Sequence, residues 1–552
     1  MRRAMVWVAL FAALIALCGS SGRQHRPESL PGRLTSVWSA ETSADFDSSA
    51  KLIVIKERAI VAPAPDGALT VRDPRSGRIE QTITADPGWN FDAVEVLDDR
   101  LYTAATSELG PGVDRFAAYD LRTGQIVWST DLRIGVSLQP MLVTSRGIVA
   151  QGYEARVLYG LRLTDGKIGW QTELPAACSD GAATSTPTAA VFLFHCAGTE
   201  ARLFSVDPAG GRVSWQRLLA TDPAGVDGID LLATRNGDVL AQAGTTLRLF
   251  APNGRLIFTA PSGMTCGGAC AIGENGSDIA ISLQDGAHAL SLLDIDASTG
   301  RLRWQRNGDL ITWHHPVLPI GSGGILYAPA GSAVVKDRSQ FLPSFIVALR
   351  TDTGRSTVFP LPTTDSIAMG NAAGLVFFWS PGPRNPVITA YRGDGAPMAQ
   401  TELGGVRASD WPDACTLLTP ADLRIIAHGY VSTPRKAALA DVTWPKPLTC
   451  VYVGPERKDP VVTLSIAWIA ASQQQADMLV ATKLAAFHTY TYGETQRIAG
   501  GYLVPDDTLA GRRDRAMIVG GRAIVWLTVP GHPEDARRLA PIVAARLSNA
   551  YG

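Results

Sequence analysis

One short phrase, repeated, sets what this chain can fold into. It reads Asp73-Pro-Arg-Ser-Gly77-Arg-Ile-Glu-Gln81, then Asp120-Leu-Arg-Thr-Gly124-Gln-Ile-Val-Trp128, Leu163-Thr-Asp-Gly166-Lys-Ile-Gly-Trp170 and Asp207-Pro-Ala-Gly-Gly211-Arg-Val-Ser-Trp215. It returns as Pro252-Asn-Gly254-Arg-Leu-Ile-Phe258, Asp296-Ala-Ser-Thr-Gly300-Arg-Leu-Arg-Trp304, Thr351-Asp-Thr-Gly354-Arg-Ser-Thr-Val-Phe359 and Gly393-Asp-Gly395-Ala-Pro-Met-Ala-Gln400. The marker glycines lie 47, 42, 45, 43, 46, 54 and 41 residues apart, which makes eight copies of one unit. A fixed period of this length means a stacked or circular repeat architecture rather than a set of unrelated domains.

Each copy reads as a β-hairpin. An Asp or Asn side chain bonds the turn's own backbone, and Gly supplies a positive φ that side-chain-bearing residues resist. The aromatic four residues later, at Trp128, Trp170, Trp215 and Trp304, offers a large face to lock one sheet onto its neighbour. Short apolar stretches upstream, such as Ala59–Ala62, Gly147–Gln151 and Leu375–Trp379, supply the inner strands. Four short strands fit each period, and a four-stranded antiparallel sheet cannot hide both faces alone. Radial stacking into a β-propeller solves that and protects the sheet edges.

The phrase resembles the pyrroloquinoline-quinone-type (PQQ-like) propeller repeat, with its Asp-x-x-Thr-Gly-x-x-x-Trp turn in each blade, over residues 34–405. The match is specific in the copies ending at Trp128, Trp170, Trp215 and Trp304 and degenerate in the first, fifth, seventh and eighth; counting copies gives eight blades, or seven if a weak copy is an insertion, with Trp38 on an extra outer strand that helps close the ring. The resemblance also raises a quinoprotein dehydrogenase with quinone and Ca²⁺ at the hub. Against that, the chain has no adjacent cysteine pair and little length between copies for a walled active site. The same repeat in compact form serves non-catalytic envelope scaffolds such as outer-membrane assembly lipoproteins. No cofactor or catalytic residue is therefore assigned; PQQ and calcium belong to the alternative.

The opening places Arg2 and Arg3 before an uncharged run from Ala4 to Cys18, the pattern of an export signal. Those residues make a helix of about 22 Å, short of the roughly 30 Å hydrocarbon core, which favours cleavage over a permanent span. Leu17 before Cys18 departs from a lipobox. The remaining six cysteines form sequence-local pairs, Cys178 with Cys196, Cys266 with Cys270 and Cys415 with Cys450. In an exported chain that reads as three disulfides, although sequence leaves the connectivity open. With 50 Lys+Arg against 51 Asp+Glu there is no cationic excess to neutralise a phosphate backbone, so nucleic acid is not a partner.

Other candidate sites are weak. Asp227 and Asp230 lack the oxygen spacing of a calcium loop. His314 and His315, as neighbours, point to opposite faces if extended. No metal site is assigned.

After Gly405 the repeat stops. Thr419 reads as an N-cap with Pro420 at the first helical position and Asp422 in the first turn, giving a short helix to about Ala427. Strands follow at Thr449–Val453 and Val461–Ile469, a helix over Gln473–Phe487, a hairpin turning at Gly520-Gly521, and an amphipathic helix over Pro533–Ala550. Residues 406–552 thus read as a separate small α+β domain, and 1–33 as signal or anchor plus linker. Asp413, Cys415, Leu417, Leu418, Thr419, Pro420 and Asp422 resemble the opening of small exported domains of actinobacterial lipoproteins, which implies Cys450 as the partner of Cys415. The whole is expected to be mainly β, a propeller followed by an α+β domain. It is expected in the cell envelope, secreted or held at the outer face of the membrane, binding an envelope protein or an extracellular ligand. A ligand sensor acting through the C-terminal domain is a further alternative.

Overall fold

The computed structural model describes residues 34–551 apart from 44–51, 108–113, 134–140, 152–156, 174–177, 197–199, 221–228, 262–263, 266–270, 276–277, 286–289, 308–319, 323–324, 331–340, 362, 365, 394–401, 404–405, 440–441, 491–494 and 505–514. From Leu34 to Gly393 the chain forms antiparallel sheets, each a meander of neighbouring strands. We number them by position: sheet one (54–83), two (89–132), three (142–173), four (178–220), five (229–259), six (264–307), seven (320–360) and eight (367–393). Sheet eight takes its outermost strand, Leu34–Glu41, from the start of the described chain.

Apolar clusters join each sheet to the next. Leu101 and Ala117 pack with Val61 and Val71 between sheets two and one, and the series runs on to Phe377 and Leu375 of sheet eight, which pack against Ile60 and Ala62 of sheet one. Last meets first, so the sheets close into a propeller. The four-stranded unit occurs seven times, not at all eight markers. Around the sixth marker the sheet has five strands, because its first strand is split. Met264–Thr265 and Ala271–Asn275 both pair with Asp278–Asp285, on either side of 266–270.

In a four-strand meander the first and third turns fall on one edge of the sheet and the second on the other. The marker turns are third turns, so they share one face of the ring with the first turns. The second turns lie on the opposite face.

The C-terminal region builds a seven-stranded antiparallel sheet in the order Val431–Arg435, Thr449–Val453, Val462–Ile469, Ala523–Thr528, Arg515–Gly520, Gly501–Val504, Gln496–Ile498. Three helices accompany it: α1 (Ala414–Leu417), α2 (Gln473–Tyr490) and α3 (Pro533–Tyr551). Helix α3 buries Leu539, Val543 and Leu547 in one stripe against the sheet. It comes so close that a Cβ on Gly520 would stand 2.4 Å from that of Leu547. Among the described residues no helix is long and apolar enough to cross a membrane.

The helix expected from a Thr419 cap to Ala427 is not there. Asp413 caps the four-residue α1 instead, accepting from the Cys415 N–H at 2.8 Å, and a 3-10 turn occupies Asp422–Ile425. Asp422 takes the Thr419 N–H and hydroxyl, both at 2.7 Å, so Thr419 donates its hydroxyl rather than capping with it.

Candidate interaction surface

The marker turn is built by its own side chains. Asp73 accepts from the Ser76 N–H at 2.8 Å and Asp120 from the Thr123 N–H at 3.0 Å, while Asp296 takes the N–H groups of Ser298 and Thr299. The Ser76 hydroxyl bond, the Thr123 backbone bond and the Ser298 hydroxyl bond are the leading causes that hold these three carboxyls below their usual range. The acids are thus engaged inside the turn. Gly166 shows why the marker must be glycine. Its φ is +67°, and an added Cβ would lie 2.3 Å from Cε3 of Trp128.

That contact belongs to a ladder running around the ring. Trp128 Nε1 donates to the Leu163 carbonyl at 2.9 Å, Trp170 to Pro208 at 2.8 Å, Trp215 to Pro252 at 2.9 Å and Trp304 to Thr351 at 3.0 Å. Each indole thus reaches the marker turn of the following sheet. Trp38, on the strand that completes sheet eight, donates to Pro74 in sheet one at 2.9 Å and carries the ladder across the closure. Sheet one lacks the tryptophan, and Gln81 fills its place by donating from Nε2 to the Arg122 carbonyl at 2.6 Å. Sequence reading treats that copy as degenerate; an amide donor at the aromatic position was the available signal.

Just outside the ladder lies a second repeated pair. The residue after the marker is an exposed cation in six copies: Arg78, Lys167, Arg212, Arg255, Arg301 and Arg355. The next residue is an aliphatic in six: Ile79, Ile126, Ile168, Val213, Leu256 and Leu302, each 39–56% exposed. A register shift in the strand pairing at or next to this residue, as at Ala118/Tyr119 opposite Ile126, sets it apart from the regular alternation. Isolated exposed aliphatics are ordinary; a set at one structural position around one face is not.

The inner turns on the same face are stitched by charge. Lys56 meets Glu95 at 2.9 Å, Arg58 pairs with Asp99, and Glu57 accepts from the Ala373 N–H at 2.9 Å, linking sheets eight, one and two. Arg235 of sheet five donates to the Asn371 carbonyl of sheet eight at 2.8 Å, reaching a sheet three positions on rather than a neighbour. Asp230, on the inner strand of sheet five, has its carboxyl pushed up by burial. Among the described residues no group of three or more His, Cys, Asp or Glu side chains is placed to hold a metal. Asp227, His314 and His315 lie outside the described residues, as do Cys266 and Cys270.

Two disulfides are present among the described residues. Cys178 and Cys196 sit opposite each other on the first two strands of sheet four, and Cys415 on α1 joins Cys450 on the strand Thr449–Val453. Apart from the exposed Pro420, the motif around Cys415 is spent on internal structure. Leu417 and Leu418 are buried, and the Tyr452 hydroxyl, raised by burial, donates to the Leu418 carbonyl. Arg546 of α3 grips Asp422 with two bonds of 2.7 and 2.9 Å and holds its carboxyl down to about 2. Arg515 lies over Trp526 and Arg538 beside Asp535, each engaged within its own sheet or helix. Arg512 and Arg513 lie outside the described residues.

Sequence reading missed the junction between the two parts. Phe341, which follows the second turn of sheet seven, enters a cage of Trp411, Trp444 and Trp468, with ring centroids 6.4, 5.3 and 6.2 Å away. The Leu342 N–H donates to the Ala467 carbonyl at 3.1 Å. The C-terminal sheet therefore docks on the face opposite the marker turns. The 54-residue spacing between Gly300 and Gly354 was the one trace of this in the sequence.

Comparison with known proteins agrees with the repeat. Residues 86–264 match the family described as outer membrane protein assembly factor BamB. BamB of Yersinia pestis is 24% identical over 288 residues, 47% of this chain and 67% of that protein. Among solved structures, BamB of Moraxella catarrhalis aligns with 14% identity and a TM-score of 0.42, over 65% of this chain and all of the other. A quinohemoprotein alcohol dehydrogenase of Pseudomonas putida aligns with 12% identity and a TM-score of 0.44, over 69% and 78%. Sheets two to five, with the first residue of sheet six, thus carry a BamB-like PQQ repeat on a β-propeller fold.

Proposed function

We propose that this chain is an exported, non-catalytic scaffold of the cell envelope that binds partner proteins through its propeller surfaces. The observation that carries the reading is the BamB-like repeat over residues 86–264, since the name of that family describes assembly of other envelope proteins. The side chains of the marker turns support it. Their acids and indoles are spent on holding the ring, which leaves shape, exposed cations and exposed aliphatics as what the surface offers. In this reading the five-stranded sheet six is an eighth blade with an interrupted inner strand. Trp128, Trp170, Trp215 and Trp304 lock blades, Cys266 pairs with Cys270, and residues 406–552 form a separate domain like those of exported actinobacterial lipoproteins, clamped to sheet seven. The N-terminal apolar run directs export and holds the chain at the membrane's outer face or is removed.

Crosslinking in intact cells, followed by affinity recovery and mass spectrometry, tests this. The expected result is crosslinks from propeller turns to one or a few envelope proteins. Crosslinks confined to the chain itself, or recovery from the cytoplasm, would contradict it.

A further inference from the structure

We infer that the marker-turn face of the propeller rests on an anionic lipid surface, through its ring of cation–aliphatic pairs. This rests on the branch of the reading above in which the N-terminal apolar run stays on the chain and holds it at the membrane. Three observations meet on that face.

The first is the pairing itself. Cation then aliphatic recurs without interruption at Lys167-Ile168, Arg212-Val213, Arg255-Leu256 and Arg301-Leu302, and again at Arg78-Ile79. The acids of these turns stay ionised, but over residues 73–80, 120–126, 162–168, 207–213, 252–256, 296–303 and 350–356 the 11 Arg and Lys outnumber the 7 Asp and Glu, which leaves the turns cationic. An amphipathic surface of this kind places aliphatics at the level of the headgroups and cations among phosphates.

The second is where the chain joins the fold. Leu34 pairs with Gly393, at the end of the third strand of sheet eight, so it occupies the edge where the marker turns lie. Four residues on, Trp38 bonds the marker turn of sheet one. Only 15 residues separate Cys18 from Leu34. Such a tether spans at most about 50 Å extended and about 20 Å as a coil, which brings this face toward the bilayer.

The third is what occupies the other face. The C-terminal domain is docked there through Phe341 and Leu342, away from the marker-turn face among the described residues.

Hydroxyl-radical footprinting of the full chain on vesicles tests this, with phosphatidylglycerol-containing and pure phosphatidylcholine vesicles compared and flotation scored in parallel. On anionic vesicles, oxidation at Ile79, Ile126, Leu256 and Leu302 is expected to fall at least about three-fold, as half-exposed side chains become covered by headgroups. Val431, exposed on the C-terminal domain, is expected not to change. A variant with the six cations replaced by Gln is expected to float still but to lose the protection, as is the native chain in high salt. Flotation without protection overturns the inference and leaves the anchor standing. Equal protection on neutral vesicles, or protection at Val431 as well, also overturns it. Failure to float on either vesicle overturns the inference together with the anchored branch of the reading above, and leaves the scaffold reading standing. Protection that appears only when envelope protein is added assigns the ring to a protein partner instead.

Discussion

The contact between Trp128 and Gly166 allows a quantitative test of the ladder. Trp128 is 8% exposed, its indole covers the marker glycine of sheet three, and its N–H is bonded to the Leu163 carbonyl. Replacing it with Ala removes a large buried ring and a hydrogen bond, a loss of about 3–5 kcal/mol. Gly166→Ala forces a non-glycine residue to φ +67°, which costs about 1–2 kcal/mol by itself. In the native background the new methyl also meets Cε3 at 2.3 Å and must displace the indole, adding roughly 1–3 kcal/mol. In the Trp128→Ala background the indole is absent, leaving the φ penalty and a 2.9 Å approach to the Thr130 hydroxyl, which can rotate away. The double variant should therefore be more stable than the sum of the singles by about 1–3 kcal/mol, the range expected for residues in contact. Denaturant unfolding followed by far-ultraviolet circular dichroism measures it, and Trp128→Phe should fall between wild type and Ala. Additive single effects would mean that the indole does not rest on the marker turn, and the ladder would fail as the force between sheets.

Three further outcomes follow from the C-terminal domain. Asp422 is held to about 2 by Arg546, below its ordinary value of 3.8, so the ion pair's stabilisation is fully present above about pH 4 and is lost as pH falls toward 2. Asp422→Asn should flatten the acid-unfolding profile in that window, being less stable than wild type near neutrality and converging with it as pH falls toward 2. Removing the Cys415–Cys450 bond by double Ala substitution opens a loop with a sequence separation of 35 and should destabilise the domain by roughly 3.8 kcal/mol on the chain-entropy account, with proteolysis confined to residues beyond 405. Phe341→Ala empties the tryptophan cage at a cost of about 3–5 kcal/mol, and should release the domain to melt apart from the propeller in calorimetry.

What the sequence makes legible is what local chemistry imposes. A positive-φ glycine, an Asp that closes its own turn and an indole over the next glycine are bound to one another at short, fixed spacings, so their repetition reveals the sheets. Trp38 is visible for the same reason. The helices α2 and α3 and the strands around Cys450 follow from periodicity. The short helix after Thr419 misled because a cap residue and a following proline describe helix starts in general, whereas here Asp422 is claimed by Arg546, more than a hundred positions away. Phe341 and its three tryptophans share no period and no local pattern, so only folding brings them together. The two short strands of sheet six, Met264–Thr265 and Ala271–Asn275, escaped because the marker Gly300 keeps its place.

Scaffold and enzyme are separated most directly by what the hub binds. Titrating the purified chain with pyrroloquinoline quinone and Ca²⁺, while following quinone absorbance and dye-linked oxidation of alcohols and sugars, makes that measurement. The account predicts no stoichiometric uptake and no turnover. One quinone bound per chain, with calcium-dependent oxidation, would contradict it.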